Sequence, residues 1–420
     1  MYDRSKYIGR AQNLDLYGVT ISQTRKDYLV DVDGLEYIDM LSSASSLTLG
    51  YEREDLVDAY TEQCAKVPHT CTVYTFVPVV QEYAKKLIST CSIPDAKMLF
   101  GAFGSDAVDG ALKCAQAYTK KKKVIAFQKA YHGGTFLSLA SNGFEALKEN
   151  LYLPDYFTHL AYPTSENSQA TLEAIEKILK EGETGALIME TILGDGGVLE
   201  PSPEFYREIK GLLHKYGAIL IFDEIQSGLC RTGKFWSFEN FDVEPDLFCT
   251  AKGLGAGYAV ISAVVGRGEV IDSLQNCQHA FTLAAHPASC AVALRVLNAI
   301  EEEDIIGNVI KINKVITEEF ARLKGSKYFD CIRGMGLMLG VALKHQSSIG
   351  PSIGKICLKN GVYIGYYGQN NNVLRIQPAL TIDPETAKKA SKAIVDSVFE
   401  FEQKEEHHLN DDQPLSFFSN

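Results

Sequence analysis

The sequence predicts an α/β protein with a large domain on a mostly parallel sheet and a smaller α+β domain beside it. Three observations predict it. From about residue 96 to 265, short apolar runs ("KMLF", "KVIAF", "ALIME", "AILIF", "DLFCT", "AVISAVV") alternate with helical patterns, the signature of strand–helix–strand units. Beyond residue 300 the pattern changes to a long helix (Ile305, Ile306, Val309, Ile312, Ile316, Phe320), several short strand-like runs and a closing helix. Near the N-terminus, "YLVDVDGLEYIDM" alternates apolar and polar residues around Asp33-Gly34, a strong short-range hairpin signal.

Each element has a local reason. Amphipathic helices are expected around 54 to 66 and 78 to 90, and the last helix should open with Asp383 as N-cap and Pro384 at its first position. The predicted organisation is an N-terminal segment (1–50) joining the small domain, a large domain (51–300), a small C-terminal domain (301–402) and a polar tail (403–420). That tail carries His407-His408.

Composition narrows the function. Hydrophobic residues make up 46% and charged residues 22%, and 41 basic against 53 acidic residues leave a net charge of −12. Such an acidic balance argues against a nucleic-acid or anionic-membrane partner. Ten scattered cysteines without a C-x-x-C pair point to reduced thiols in a cytoplasmic protein. The nine histidines form no metal-ligand pattern, so no metal is expected. Residues 247 to 266 carry almost no charge, but the central Lys252 and nearby glycines argue against a membrane span.

Three segments carry chemistry. In "AILIFDEIQSG" an apolar strand runs straight into Asp223, and a buried acid needs a partner for its charge. In "FGSDAVDGALKCAQAY", Gly104 and Ser105 precede a helix. Taken alone, Ser105 reads as an N-cap, although the same residues would make an anion site. Lys252 is the only charged residue between Asp246 and Arg267. Desolvation there would lower its pKa and make it nucleophilic, unless its ammonium reaches water past a packed stem. Together, an anion cradle, an isolated lysine and a strand-end carboxylate match the needs of pyridoxal phosphate: a phosphate site, an amine for its aldehyde and an acid for its ring nitrogen.

With these residues the chain resembles the class III (ornithine/4-aminobutyrate type) aminotransferases of fold type I, over roughly residues 25 to 400. The most specific part is "LIFDEIQSGLCRTGKFWSFENFDVEPDLFCTAKGLGAG". The resemblance implies a seven-stranded-type sheet, pyridoxal 5'-phosphate as cofactor, and small amino-acid and 2-oxo-acid substrates. It implies Lys252 as the Schiff-base lysine and proton shuttle, Asp223 on the ring nitrogen and Gln226 near the ring hydroxyl. Ile225 would lie against one ring face, Tyr131 of "AYHGG" on the other, with His132 beside it. Thr282 of "HAFTLAAHP" would reach the phosphate of a neighbouring subunit, giving a homodimer with shared sites, possible also as a dimer of dimers. Arg375 of "LRIQPAL" matches the carboxylate-binding arginine, although an isolated arginine is as often a surface residue. Tyr74 and Phe76 in "TVYTF" could wall the substrate pocket or simply pack in the core.

Three departures stand out. Ala102-Phe103 replaces the family's asparagine-serine, Glu190-Thr191-Ile192-Leu193 replaces its glutamate-proline-x-glutamine, and Asp195 of "LGDGG" stands where transaminases carry glutamate. The last change separates two expected reactions. Amine transfer returns the α-proton on one face, so Lys252 suffices, and this is the first reading. Racemisation or 2-epimerisation needs a second base on the opposite face, and Asp195 could be it, unless it simply pairs with Arg375. "LVDVDGLEYIDMLSSASS" and "GDGG" are similar to the epimerase and lactam-racemase branch of the family.

Overall fold

The computed structural model describes residues 6–12 and 15–405. A seven-stranded sheet forms its centre, built from β4 (Ala96–Gly101), β5 (Lys123–Phe127), β6 (Phe157–Leu160), β7 (Thr184–Glu190), β8 (Ile219–Asp223), β9 (Leu247–Thr250) and β10 (Ser262–Arg267). Their order is β4-β10-β9-β8-β7-β5-β6. β6, β5, β7, β8 and β9 pair in parallel, and β10 pairs antiparallel with both β9 and β4. Every residue of β7, β8 and β9 is buried. Strands covered by helices on both faces read as continuous apolar runs, which is why they were legible in the sequence.

One difference from the sequence reading has a simple cause. β6, with the sequence FTHL, is an edge strand of half-buried residues, so it offers neither an apolar run nor an alternation. The uncharged stretch 247–266 holds the two separate strands that its apolar runs predict. It is β9, a 3-10 turn and β10 folded back beside it, uncharged because both strands are buried.

The remaining strands form two four-stranded sheets, ordered β1-β2-β3-β13 and β11-β12-β15-β14. They comprise β1 (Ile21–Arg25), β2 (Tyr28–Asp31), β3 (Glu36–Asp39), β11 (Phe329–Met335), β12 (Met338–Leu343), β13 (Val362–Tyr363), β14 (Gly365–Tyr367) and β15 (Val373–Ile376). The expected hairpin is β2–β3. Its turn is closed by Asp31, whose Oδ1 accepts from the Asp33 and Leu35 N–H groups at 2.9 Å each, an aspartate mimicking a backbone turn. β3 also pairs in parallel with β13, which ties the N-terminal segment to the C-terminal region.

The last helix, Pro384–Glu405, begins as the sequence predicts: Asp383 Oδ1 accepts from the Glu385 and Thr386 N–H groups. It continues past residue 402, where the polar tail was expected to start. Residues 406–420, including His407 and His408, lie outside the described residues. Among the described residues, no helix is long and apolar enough to cross a membrane, and no group of three or more His, Cys, Asp or Glu could hold a metal ion.

Candidate active site

Ligands in sheets of this kind gather at the carboxyl ends of the strands. Here β7 ends in Glu190 and β8 in Asp223, while β9 is followed by Ala251 and Lys252. All of these line one cavity of about 750 Å³. Asp223 is buried, and its Oδ2 lies 2.8 Å from His132 Nδ1 while its Oδ1 accepts from the Ile225 N–H at 3.1 Å. His132 is itself fixed, because its N–H donates to Asn142 Oδ1, and Asn142 Nδ2 donates to the Gly133 carbonyl. Glu224 turns to the other side of the strand. It accepts from the Ser237 and Phe238 N–H groups and from Thr191 Oγ1, and burial pushes its pKa up to about 8. It anchors the following chain rather than the cavity.

The helix Gly104–Thr119 aims its N-terminus at the same cavity, which Gly104 and Ser105 line. Ser105 is not its N-cap. That position is Phe103, and Asp106 in the first turn reaches back, its Oδ2 accepting from the Ala102 and Phe103 N–H groups at 3.0 Å. Ser105 Oγ accepts from the Gly134 N–H at 3.0 Å, which ties the helix end to the loop after β5. Gly104 packs tightly: a Cβ there would stand 3.0 Å from Ile225 Cδ1, which would have to give way. First-turn N–H groups have no intrahelical partner, so this end of the helix suits an anion.

Lys252 sits in the 3-10 turn Lys252–Leu254 with φ at 37°. Such a backbone costs ~1–3 kcal/mol and persists only where the surroundings impose it. Burial first, and the Arg375 charge second, lower its pKa below the usual lysine range. Asp195 faces the cavity from the loop after β7, and Arg375 lies behind it on β15, 1% exposed. Arg375 Nη1 donates to Asp195 Oδ1 at 2.9 Å, its Nε donates to Gln377 Oε1 at 2.6 Å, and its guanidinium carbon lies 4.4 Å from the Tyr367 ring centre. Arg375 is therefore no surface residue. It also does not line the cavity, since Asp195 closes it off.

The arrangement fits pyridoxal phosphate. Gln226 Oε1 and His132 Nε2 are buried polar atoms without a hydrogen-bond partner, beside Asp223 and below the helix end. Tyr131 and Ile225 line the cavity with them. Tyr74, expected at the substrate pocket, is not brought together with these, and Thr282, expected at a neighbouring subunit's phosphate, does not line this cavity. A turn closed by the Tyr74 N–H on the Cys71 carbonyl leaves the Tyr74 ring 84% exposed and outside the cavity. Thr282 is exposed between Phe281 and Leu283, of which Leu283 reaches the cavity wall. Phe76 lines a separate, smaller cavity.

Glu190 was overlooked as a site residue, although "ALIME" ends in an acid just as "ILIFD" does. Its Oε1 accepts from the Tyr131 N–H and its Oε2 from the Gly194 N–H, so one carboxylate ties together the loops that carry Tyr131 and Asp195. Burial raises its pKa to about 7. Asn142 left no signal, because a lone asparagine in a loop has no pattern to break.

Comparison with known proteins agrees with this geometry. Residues 10–398 match the family described as Aminotransferase class-III. The chain is 33% identical to a leucine/methionine racemase of Thermococcus litoralis, over 93% of this chain and 94% of that one. It is 32% identical to a probable gamma-aminobutyrate transaminase 3 of Oryza sativa, over 90% and 81%. The ornithine aminotransferase of Toxoplasma gondii superposes with a TM-score of 0.87 at 26% identity, covering 96% of this chain and 94% of that one. A fold-type-I architecture, a cavity suited to pyridoxal 5'-phosphate and this match over nearly the whole length lead to one conclusion: the chain is an enzyme of the class-III aminotransferase family, with pyridoxal 5'-phosphate as its cofactor.

Proposed function

We propose that this enzyme inverts the α-carbon of an amino acid with a neutral, apolar side chain, as a racemase or 2-epimerase. The observation that carries the reading is the placement of Asp195: it, and not Arg375, faces the cavity that Lys252 enters. The bond from Arg375 fixes the direction of the Asp195 carboxylate, which suits a group that exchanges a proton at one place. The similarity to a leucine/methionine racemase supports the same reading. Tyr131, Ile225, Val260, Ile261 and Leu283 supply apolar wall, and Lys252 is the only lysine or arginine on that wall among the described residues.

When bound, the cofactor supplies an aldehyde that takes the substrate amine and a ring that accepts the electron pair of the broken Cα–H bond. Gly104 and Ser105 at the helix end would hold its phosphate, Asp223 would keep a proton on its ring nitrogen, and Gln226 would meet its ring hydroxyl. The lowered pKa of Lys252 leaves a larger neutral fraction to act as base. Lys252 exchanges a proton with one face of the α-carbon and Asp195 with the other, so that removal on one face is matched by delivery on the opposite one. In the reverse direction the two exchange roles, and solvent restores their protons.

Amine transfer is the second reading, favoured by the Asp195–Arg375 pair itself. If the pair parts, Arg375 could take a substrate carboxylate. A panel of single enantiomers separates the two reactions. Loss of optical rotation without any 2-oxo acid supports inversion, while turnover that requires 2-oxoglutarate or pyruvate sinks it.

We also read the enzyme as a cytoplasmic homodimer. Exposed Val73, Tyr74, Phe76, Phe281 and Leu283 are apolar surface for a second copy, which would bring Thr282 to the partner's site. The unpaired state of all ten cysteines suits a reducing compartment. The β3–β13 pairing supports grouping segment 1–50 with 301–402 as a small domain against 51–300.

A further inference from the structure

Ser42, Ser43, Ala44 and Ser45 have φ values of 48°, 48°, 57° and 70°. Four consecutive non-glycine residues in the left-handed region form a whole left-handed turn, which costs roughly 1–2 kcal/mol per residue. The surroundings impose it. Asp39 Oδ1 accepts from the Leu41 and Ser42 N–H groups at 2.9 Å each, and its Oδ2 accepts from the Tyr51 hydroxyl at 2.8 Å. The Gln377 N–H donates to the Met40 carbonyl at 2.7 Å.

The turn delivers one contact. Ser45 Oγ donates to Gln377 Oε1 at 2.5 Å, and both side chains are buried. The same oxygen accepts from Arg375 Nε at 2.6 Å, and Arg375 Nη1 holds Asp195 Oδ1. With Tyr367 against the guanidinium, Arg375 is held on three sides. Neighbouring Ser46 lines the cavity, so the turn and the site are one construction.

We propose that Ser45 and Gln377 are positioning residues: they fix Arg375, and through it Asp195, at one place for proton exchange at the α-carbon. The Asp195–Arg375 pair is then a fixed base and its backing, not a gate that opens for alternate substrates. This rests on the inversion reading above. A relaxed turn would withdraw the Ser45 hydroxyl and take one of the two donors from Gln377 Oε1, loosening the hold on Arg375.

The test uses the holoenzyme and whichever amino acid the wild type turns over fastest. Each enantiomer is incubated separately in deuterated water, and initial α-proton exchange is followed by NMR for wild type, Gln377→Leu and Gln377→Glu. Wild type should exchange both enantiomers. Gln377→Leu should slow exchange of one by about 10–100-fold and of the other by less than about threefold, because only one face depends on Asp195. Gln377→Glu keeps the acceptor oxygen and should stay within about fivefold of wild type on both. Cofactor absorbance and borohydride labelling of Lys252 should be equal in all three. Equal slowing of both enantiomers, or of neither, overturns the proposal. Exchange of only one enantiomer by the wild type overturns the inversion reading, and the fixed base with it. Should Gln377→Leu fail to fold, Ser45→Ala removes one donor from the same oxygen and must show the same one-sided slowing.

Discussion

Glu190 and Asp223 are register partners at the ends of adjacent parallel strands, and both carboxyl groups are buried. Two acids so placed cannot both ionise cheaply. Asp223 has His132 at 2.8 Å, whereas Glu190 has only backbone donors, so Glu190 takes the shift, to about 7 from 4.5, with burial as its main cause.

A stability prediction follows for the cofactor-free protein. An acid with a raised folded-state pKa contributes stability below its unfolded value, here 4.5, and that contribution is lost as pH rises through about 7. The full shift corresponds to on the order of 3 kcal/mol. Urea midpoints should fall between pH 5 and 8 in the wild type, and less steeply in Glu190→Gln. Parallel profiles for the two proteins would show that Glu190 titrates normally.

Removing the charge of Asp223 should be severe. Asp223→Asn keeps the shape but cannot hold a proton on the ring nitrogen, and kcat should fall by about 10³-fold, roughly 4 kcal/mol of barrier. His132→Ala should cost less, about 10-fold, since His132 supports Asp223 without replacing it. Steady-state kinetics with saturating cofactor reads both.

Lys252→Ala should abolish turnover. Borohydride reduction of the wild-type holoenzyme should leave a phosphopyridoxyl group on Lys252, detected by peptide mass spectrometry, and on no other lysine. A label elsewhere would displace Lys252 from its assigned place.

At the helix end, Gly104→Ala should leave the fold intact while weakening cofactor binding by about tenfold. The added methyl would press on Ile225 Cδ1 at 3.0 Å, and Ile225 is expected against the ring. Equilibrium dialysis against pyridoxal phosphate measures the change.

Asp195 discriminates between the reactions. Asp195→Ala should reduce inversion by at least about 100-fold while exchange of one enantiomer's α-proton continues. Undiminished inversion would remove Asp195 as the second base.

Strands β7, β8 and β9 were legible because burial on both faces writes itself as uninterrupted apolar runs. Asp223 and Lys252 were legible because each breaks such a context with a charge. Glu190 carries the same signal at the end of β7. The polar edge strand β6, the reversed direction of β10 and the left-handed turn at Ser42–Ser45 have no comparable signature. Edge strands, strand direction and imposed backbone strain all depend on neighbours distant in the chain.

The sequence by itself determined the α/β architecture and the cofactor, since a strand–helix alternation and a motif of fixed spacing carry them. Only the tertiary structure decided that Ser105 is not the cap, that Asp195 stands between Arg375 and the cavity, and that Ser45 and Gln377 lie behind that pair. Which groups share a hydrogen bond depends on where strands from opposite ends of the chain meet, and no local pattern encodes that meeting.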